Sequence, residues 1–310
     1  RMPYAEAKEK YGSDKPDLRY GLEIFDASDV FRGSEFGITK SALERGERVR
    51  GIRIPKGAAF SRKQQDELEA IAKGAGAGGL LRLKFANGQL EGAAAKFLGP
   101  DAAKALGASD GDLLVFVAAP SHIANPALDR VRQDVAKRLD LVKDGVHEFL
   151  VVTEFPLFEK DANTGALVPV HHPFTSPMAE DIPLLDSAPE RVRANAYDVV
   201  YNGMELGGGS IRISDPALQA RMFRMLGIDD AMAEARFGFL LEGLRAGAPP
   251  HGGVAFGFDR IAMQLTGAQS MRDVIAFPKT TAARALYEGA PSAVPPKDLA
   301  DLHIRIDERS

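Results

Sequence analysis

Between Asp198 and Arg212 the chain reads DVVYNGMELGGGSIR, and three kinds of chemistry-bearing residue fall within these fifteen positions. Asp198 and Glu205 flank a strand that runs into three consecutive glycines and then Arg212. Two carboxylates without cysteine or a histidine cluster suit Mg²⁺, a hard cation that prefers oxygen and keeps phosphate oxygens in its shell. Consecutive glycines let a flat or charged group approach the backbone. The GK[ST] signature is missing, so this is no Walker loop. Arg212 offers a rigid fork that matches a carboxylate better than a lysine would. The structural alternative is a glycine-rich hairpin carrying a surface ion pair.

Two further stretches could serve the same site. In Gly252-Gly253-Val254-Ala255-Phe256-Gly257-Phe258-Asp259-Arg260, a period of two sets Gly253, Ala255 and Gly257 on one face. Val254, Phe256 and Phe258 are then expected to pack into a core, leaving a bared surface on which a flat ring can lie. Arg260, at a strand-to-helix junction, can stack on a base and meet phosphate. The second stretch is HHPFTSP (171–177). Adjacent histidines diverge and cannot share one metal from regular structure, and zinc spacings are absent. A structural loop and a histidine at a pocket rim both remain open. Met271–Thr281 (MRDVIAFPKTT) reads as a buried apolar strand or turn.

The elements that must hold these residues are partly readable. Residues 4–11 read as a helix stopped by Gly12, and residues 22–25 as a short strand. Arg48–Lys56 reads as a strand with a bulge at Gly51. Ser61 and Gln64 form a capping box ahead of a helix with Leu68, Ile71 and Ala72 on its buried stripe. GAGAGG (74–79) matches GxGxxG, but its order is helix, glycines, strand, so it reads as a helix end and turn. Leu113–Ala118 is a strand, and Asn125 with Pro126 marks a helix start. From about residue 145 strands dominate (FLVVTEF, YDVVYNGMEL, GSIRI, GGVAFGF), with helices at 216–226 and 231–246. Strands joined by short loops predict an antiparallel sheet with flanking helices, an α+β fold.

The 310 residues give a soft expectation of two domains. With 45% hydrophobic and 26% charged residues the composition is that of a chain with a core, which excludes wholesale disorder. The longest apolar run, LLVFVAA, is far too short to cross a membrane, and the first residues lack the pattern of a signal peptide. The absence of cysteine excludes disulfides, thiolate zinc sites and thiol nucleophiles. Charge is uneven: Lys40, Arg45, Arg48, Arg50, Arg53, Lys56, Arg62 and Lys63 face only Glu44 and Glu47, on a chain of net charge −4. Such a stripe suits contact with a polyanion or, equally, a solvated strand edge.

YGSDKPDLR (11–19), FPLFE (155–159), HHPFTSP (171–177), YDVVYNGMELGGGSIRI (197–213), GGVAFGFDR (252–260) and RDVIAFPKT (272–280) together resemble bacterial-type aspartyl-tRNA synthetases, in order and over essentially the whole chain. The segment containing SRKQQDELEAIAKGAGAGGLLRLKF resembles the insertion domain that those enzymes share with tRNA-dependent amidotransferase subunits. The resemblance implies a class II core on an antiparallel sheet, with residues 1–29 and 144–310 in the catalytic domain and 30–143 as an α/β insertion. It implies ATP-dependent activation of L-aspartate and transfer to tRNA(Asp), in a cytoplasmic enzyme that is a homodimer when complete and has no membrane partner. By position, Arg212 clamps the aspartate side chain and His171 sits at the amino-acid pocket. Asp198 and Glu205 hold Mg²⁺ on ATP, while Gly257, Phe258, Asp259 and Arg260 line the ATP site. Arg212, Glu205 and Arg260 thus carry the catalysis. The family's anticodon-binding domain and first two class II motifs have no counterpart here, so the chain is expected to be a C-terminal part, with little activity alone.

The alternative is a non-catalytic tRNA-binding or amidotransferase-associated module that merely shares the insertion. Such a module has no use for Glu205, the glycines, Arg212 and Arg260 together. A paralogue acting on an amide substrate is disfavoured by Arg212, which would face a neutral group.

Overall fold

The computed structural model describes residues 1–307. They fall into two compact units, Arg1–Ala255 and a second that begins at Phe256. The first contains two five-stranded sheets. Its strands are β1 (Met2–Pro3), β2 (Ile24–Asp26), β3 (Arg48–Ile54), β4 (Leu81–Ala86), β5 (Gln89–Glu91), β6 (Leu113–Ala119), β7 (Phe149–Thr153), β8 (Phe158–Lys160), β9 (Leu167–Pro169), β10 (Ala196–Tyr201) and β11 (Met204–Ile211), followed by β12 (Gly252–Phe256) at its end.

One sheet runs β2-β3-β6-β4-β5, antiparallel throughout. Its centre is the apolar run β6, whose alternate residues feed two cores. Leu113, Val115 and Val117 pack with Leu68, Ala72, Leu128, Val131 and Val135 of the helices Arg62–Gly74 and Ser121–Arg138. Leu114 and Phe116 point the other way, onto Phe31, Val49, Leu83 and Leu106. The helix 62–74 starts as expected, with Ser61 and Gln64 exchanging both capping-box bonds. Two local expectations fail. Gly51 is no bulge, because β3 pairs with β6 in unbroken register. A Cβ there would strike the Phe116 ring, so glycine makes room for an aromatic. Asn125 is no cap, since its helix starts at Ser121. Its buried side chain instead accepts from Arg50 and donates to the Lys8 carbonyl.

The basic stripe is largely consumed internally. Arg50 is fully buried and bonds Asn125 and the Glu9 carbonyl. Arg48 pairs with Glu9 and Asp26, and Arg45 with Glu47. Lys40 pairs with Glu35, while Arg53 lies over Phe25 and bonds the Leu106 carbonyl.

The other sheet runs β1-β7-β10-β11-β12, antiparallel at β7/β10 and β10/β11 and parallel at β1/β7. Its core gathers Ala7, Leu150, Val152, Phe155, Ala196, Val200, Ile213 and Met222. Helix Tyr4–Tyr11 ends at Gly12 in the left-handed region, where a Cβ would strike the Asn125 carbonyl. Helices Pro216–Met225 and Asp230–Arg245 follow β11, each opened by an aspartate cap, Asp215 and Asp229.

The second unit has a helix Phe258–Thr266 with Gly257 at its N-cap and a short turn Met271–Asp273 capped by Ser270. Phe277 stacks on Tyr287 at 4.4 Å. The expectation that Val254, Phe256 and Phe258 pack inward is overturned. They are 51%, 52% and 79% exposed, because β12 ends its sheet and alternation stops where the helix begins. Met271 and Phe277 are exposed as well, so this stretch is a surface turn and not a buried strand.

Candidate functional site

The site in the first unit is built on the β10–β11 hairpin. Its turn is Asn202-Gly203, both with positive φ, the geometry whose twist matches a two-residue hairpin. Asp198 pairs with Gly208 and Val199 with Gly207, but Val200 pairs with Glu205. Leu206 is therefore an extra residue, a β-bulge. Paired residues in an antiparallel ladder share a face, so Glu205 shares that of Val200, which is also that of Asp198. Without the bulge Glu205 would oppose Tyr201 and point away.

Two of the three glycines are explained by protein rather than ligand. A Cβ on Gly208 would collide with the Asp198 carboxylate, and one on Gly209 with the Gly253 carbonyl of β12. The Asp198 carboxyl is pushed up to about 6, first by burial, then by the charges of Glu205 and Asp14, with Lys15 opposing. Lys15 and Asp14 come from the 11–19 loop, whose Asp17 touches the hairpin at Gly203. That loop is gripped from below by the fully buried Arg132, which donates to the carbonyls of Tyr11, Asp17, Gly21 and Leu22 and lies over the Tyr11 and Tyr20 rings. Among the described residues no group of three or more histidines or carboxylates is placed to hold a metal by itself. The oxygen pair Asp198 and Glu205, strained by mutual repulsion, fits a Mg²⁺ whose remaining ligands are phosphate and water.

Beyond β11, Arg212 lies on the same face as Ser210, and both meet one side chain. Arg212 Nη1 lies 3.1 Å from His172 Nδ1, and Ser210 Oγ 3.5 Å from His172 Nε2. Among the described residues no carboxylate forms an ion pair with Arg212, whereas Arg193 is held by Glu154, Glu180 and Asp181. Arg212 opens into a cavity of about 540 Å³, bordered by His172, Phe174, Gln219, Leu244 and His251. The loop carrying His172 is fixed by Phe174, wedged 5.2 Å from Phe237, and by fully buried Gln219, which donates to the Pro173 carbonyl.

The two histidines do separate. His171 turns edge-on to Phe155 at 5.0 Å, its pKa lowered by the surrounding protein against the opposing charge of Glu205. His172, not singled out from sequence, borders the Arg212 cavity, and its pKa is lowered by burial, Arg212 and His171. Only the duplication itself hinted at this. The structure thus brings Asp198, Glu205 and Arg212 to one sheet face, with His171 alongside Glu205. Gly257, Phe258, Asp259 and Arg260 form the N-cap and first turn of the helix in the second unit, with Phe258 exposed.

The model of the class II tRNA synthetases (D, K and N) matches residues 1–281, and the chain belongs to that family. Over 311 residues it is 49% identical to the aspartate–tRNA(Asp/Asn) ligase of Caldanaerobacter subterraneus subsp. tengcongensis, covering 99% of this chain and 52% of that protein. It is 48% identical to the enzyme of the same description from Halothermothrix orenii, again over 99% and 52%. The aspartate–tRNA ligase of Lysinibacillus sphaericus is 47% identical, over 99% and 53%. The chain spans about half the length of the curated relatives it matches.

Proposed function

We propose that this chain forms part of an aspartate–tRNA ligase, which condenses L-aspartate with ATP to aspartyl adenylate and passes the acyl group to tRNA(Asp). The observation that carries the reading is Arg212. Its guanidinium is oriented by a neutral ring, carries no carboxylate partner among the described residues, and opens into a cavity bordered by His172 and His251, while the register of its strand sets it on the sheet face of Asp198 and Glu205. Gly208, the ladder partner of Asp198, is four residues from Arg212, about 13 Å of extended strand. That is the scale of an amino acid joined to a nucleotide phosphate.

In this reading Arg212 takes the side-chain carboxylate and His171 borders the amino-acid pocket. Gly257, Phe258, Asp259 and Arg260 line the ATP site. Asp198 and Glu205 would hold Mg²⁺, which supplies neutralisation of phosphate charge. No strong general base is needed, since in-line attack of one carboxylate on the α-phosphorus depends on positioning and charge. Asparagine is rejected because it leaves the guanidinium facing a neutral amide. The sheet containing β6, whose strands other than β2 lie within residues 30–143, is the inserted module between two catalytic segments, and the complete enzyme is a homodimer in the cytoplasm. No observation favours the rival RNA-binding module, since most of its basic stripe is paired within the protein.

Aspartate-dependent ATP–pyrophosphate exchange tests the proposal, in a polypeptide of the relatives' full length that carries this chain and in the chain alone. The long form is expected to exchange and the chain alone to show little. Arg212→Gln in the long form is expected to lower aspartate use by about 100-fold or more and to erase its preference over asparagine. Unchanged selectivity overturns the assignment. The tRNA arm uses both tRNA(Asp) and tRNA(Asn), the pair in the relatives' names.

A further inference from the structure

We infer that His172 is the positioning residue for Arg212: a neutral imidazole that accepts from the guanidinium through Nδ1 and aims its fork into the cavity without cancelling its charge. The identity of the ligand rests on the function proposed above; the geometry does not.

The tautomer follows from the donors. Nδ1 of His172 lies 3.1 Å from Arg212 Nη1 and 3.2 Å from the Phe174 backbone nitrogen. Neither group can accept, so Nδ1 must carry the lone pair and the proton sits on Nε2. Thr175 Oγ1, 3.3 Å from Nδ1, adds a third possible donor. Nε2 is left facing Ser210 Oγ on the strand. The ring cannot drift, because Ser176 bonds the Ile211 carbonyl at 2.9 Å and Gln219 bonds the Pro173 carbonyl at 2.9 Å.

A carboxylate in the place of His172 would orient a guanidinium at least as firmly. This protein uses that solution elsewhere, on Arg193 and Arg48, where the arginine is spent on structure. An imidazole lone pair supplies direction without a compensating charge. The guanidinium therefore keeps its full attraction for an incoming carboxylate and one edge of its fork fixed for bidentate capture.

Four variants separate this role from a structural one. His172→Asn puts an acceptor near the Nδ1 position, and His172→Gln moves it to the Nε2 position. His172→Phe keeps the ring shape without an acceptor, and His172→Asp supplies an acceptor that carries the cancelling charge. In the chain itself, ¹⁵N spectra of the ring are expected to show an unprotonated Nδ1. Resolved Arg212 Nη signals are expected to persist in His172→Asn and His172→Asp and to average in His172→Phe and His172→Gln. In the full-length polypeptide, calorimetry is expected to show L-aspartate affinity near wild type for His172→Asn and about tenfold weaker for His172→Phe. It should be weaker by at least as much for His172→Asp, despite a fixed guanidinium.

A proton on Nδ1, Arg212 signals indifferent to His172→Phe, or full aspartate affinity in His172→Asp overturns the inference. A wild-type protein that fails to prefer L-aspartate over L-asparagine overturns the proposed ligand instead. The ring and guanidinium signals still decide the positioning role.

Discussion

Glu205 shares a sheet face with Asp198 only because Leu206 is an extra residue in β11. The hairpin register changes between Val199 and Val200, and that single insertion turns the second carboxylate toward the first. Burial first, and then the charges of Glu205 and Asp14, raise the Asp198 pKa.

Inserting one residue between Val199 and Val200, opposite Leu206, restores an unbroken ladder and sends Glu205 to the face opposite Asp198. The Asp198 pKa then falls toward the ordinary carboxylate range, readable from ¹³C carboxyl shifts. Mg²⁺-dependent nucleotide affinity is expected to drop by about tenfold or more, as for loss of a metal-site group. Backbone amide spectra should show the remainder of the sheet intact. An unchanged Asp198 titration would mean that the bulge does not set the pairing of the two acids.

This bulge marks where sequence reading stops. The residue types between Asp198 and Arg212 announce a site, but seven positions between two acids on a hairpin do not say which faces they take. A one-residue shift inverts the answer. Elements governed by local chemistry were readable: the Ser61 capping box, the Gly12 helix stop and the apolar run of β6 all depend on neighbours in sequence. Gly51 and Asn125 were misread because their partners, Phe116 and Arg50, are distant in sequence and set by tertiary packing. His171 and His172 are equivalent in a string of letters, and only the wedging of Phe174 decides which one reaches Arg212.

Asp198→Asn should stabilise the protein while harming its proposed task. The folded-state pKa of about 6 lies above the ordinary 3.8. The native carboxyl therefore binds its proton more tightly than the unfolded one, and stability falls as pH rises from about 3.8 through 6. The full shift would correspond to about 3 kcal/mol. Partial solvent access reduces this to roughly 1 kcal/mol. Calorimetric melts at pH 7.5 should show Asp198→Asn higher by about 2 °C. The gain should vanish below pH 4, and Mg²⁺-nucleotide affinity should be lost. A gain independent of pH would assign the effect to packing instead.

Arg132→Met tests the grip on the 11–19 loop. Four backbone carbonyls and Asp129 accept from this guanidinium, and the methionine leaves them without donors. Asp129, already raised by burial, loses the charge that opposes that rise. Removing one partner from such a buried set costs about 3–5 kcal/mol. Urea melts should register that loss, and hydrogen exchange should accelerate at residues 12–22 before it does in β6. Uniform acceleration would make Arg132 a general core residue.

The acid limit of carboxylate binding belongs to His172. Its pKa lies below 6.5 because of burial, Arg212 and His171. The groups around it are Arg212 across the ring, His171 beside it and His251 in the same cavity wall, so no carboxylate on these elements favours the imidazolium. The unfolded ring takes its proton first as pH falls, so the stability it contributes is whole above 6.5 and declines below that value. Protonation of Nδ1 removes the acceptor and sets a second cation against Arg212. The preference for L-aspartate over L-asparagine in the full-length polypeptide should therefore hold level from pH 8 down past 6.5 and collapse only below it. In His172→Asn, which has an acceptor that cannot titrate there, the preference should stay level across the same range. A collapse in both proteins at the same pH would show that His172 is not the group that titrates.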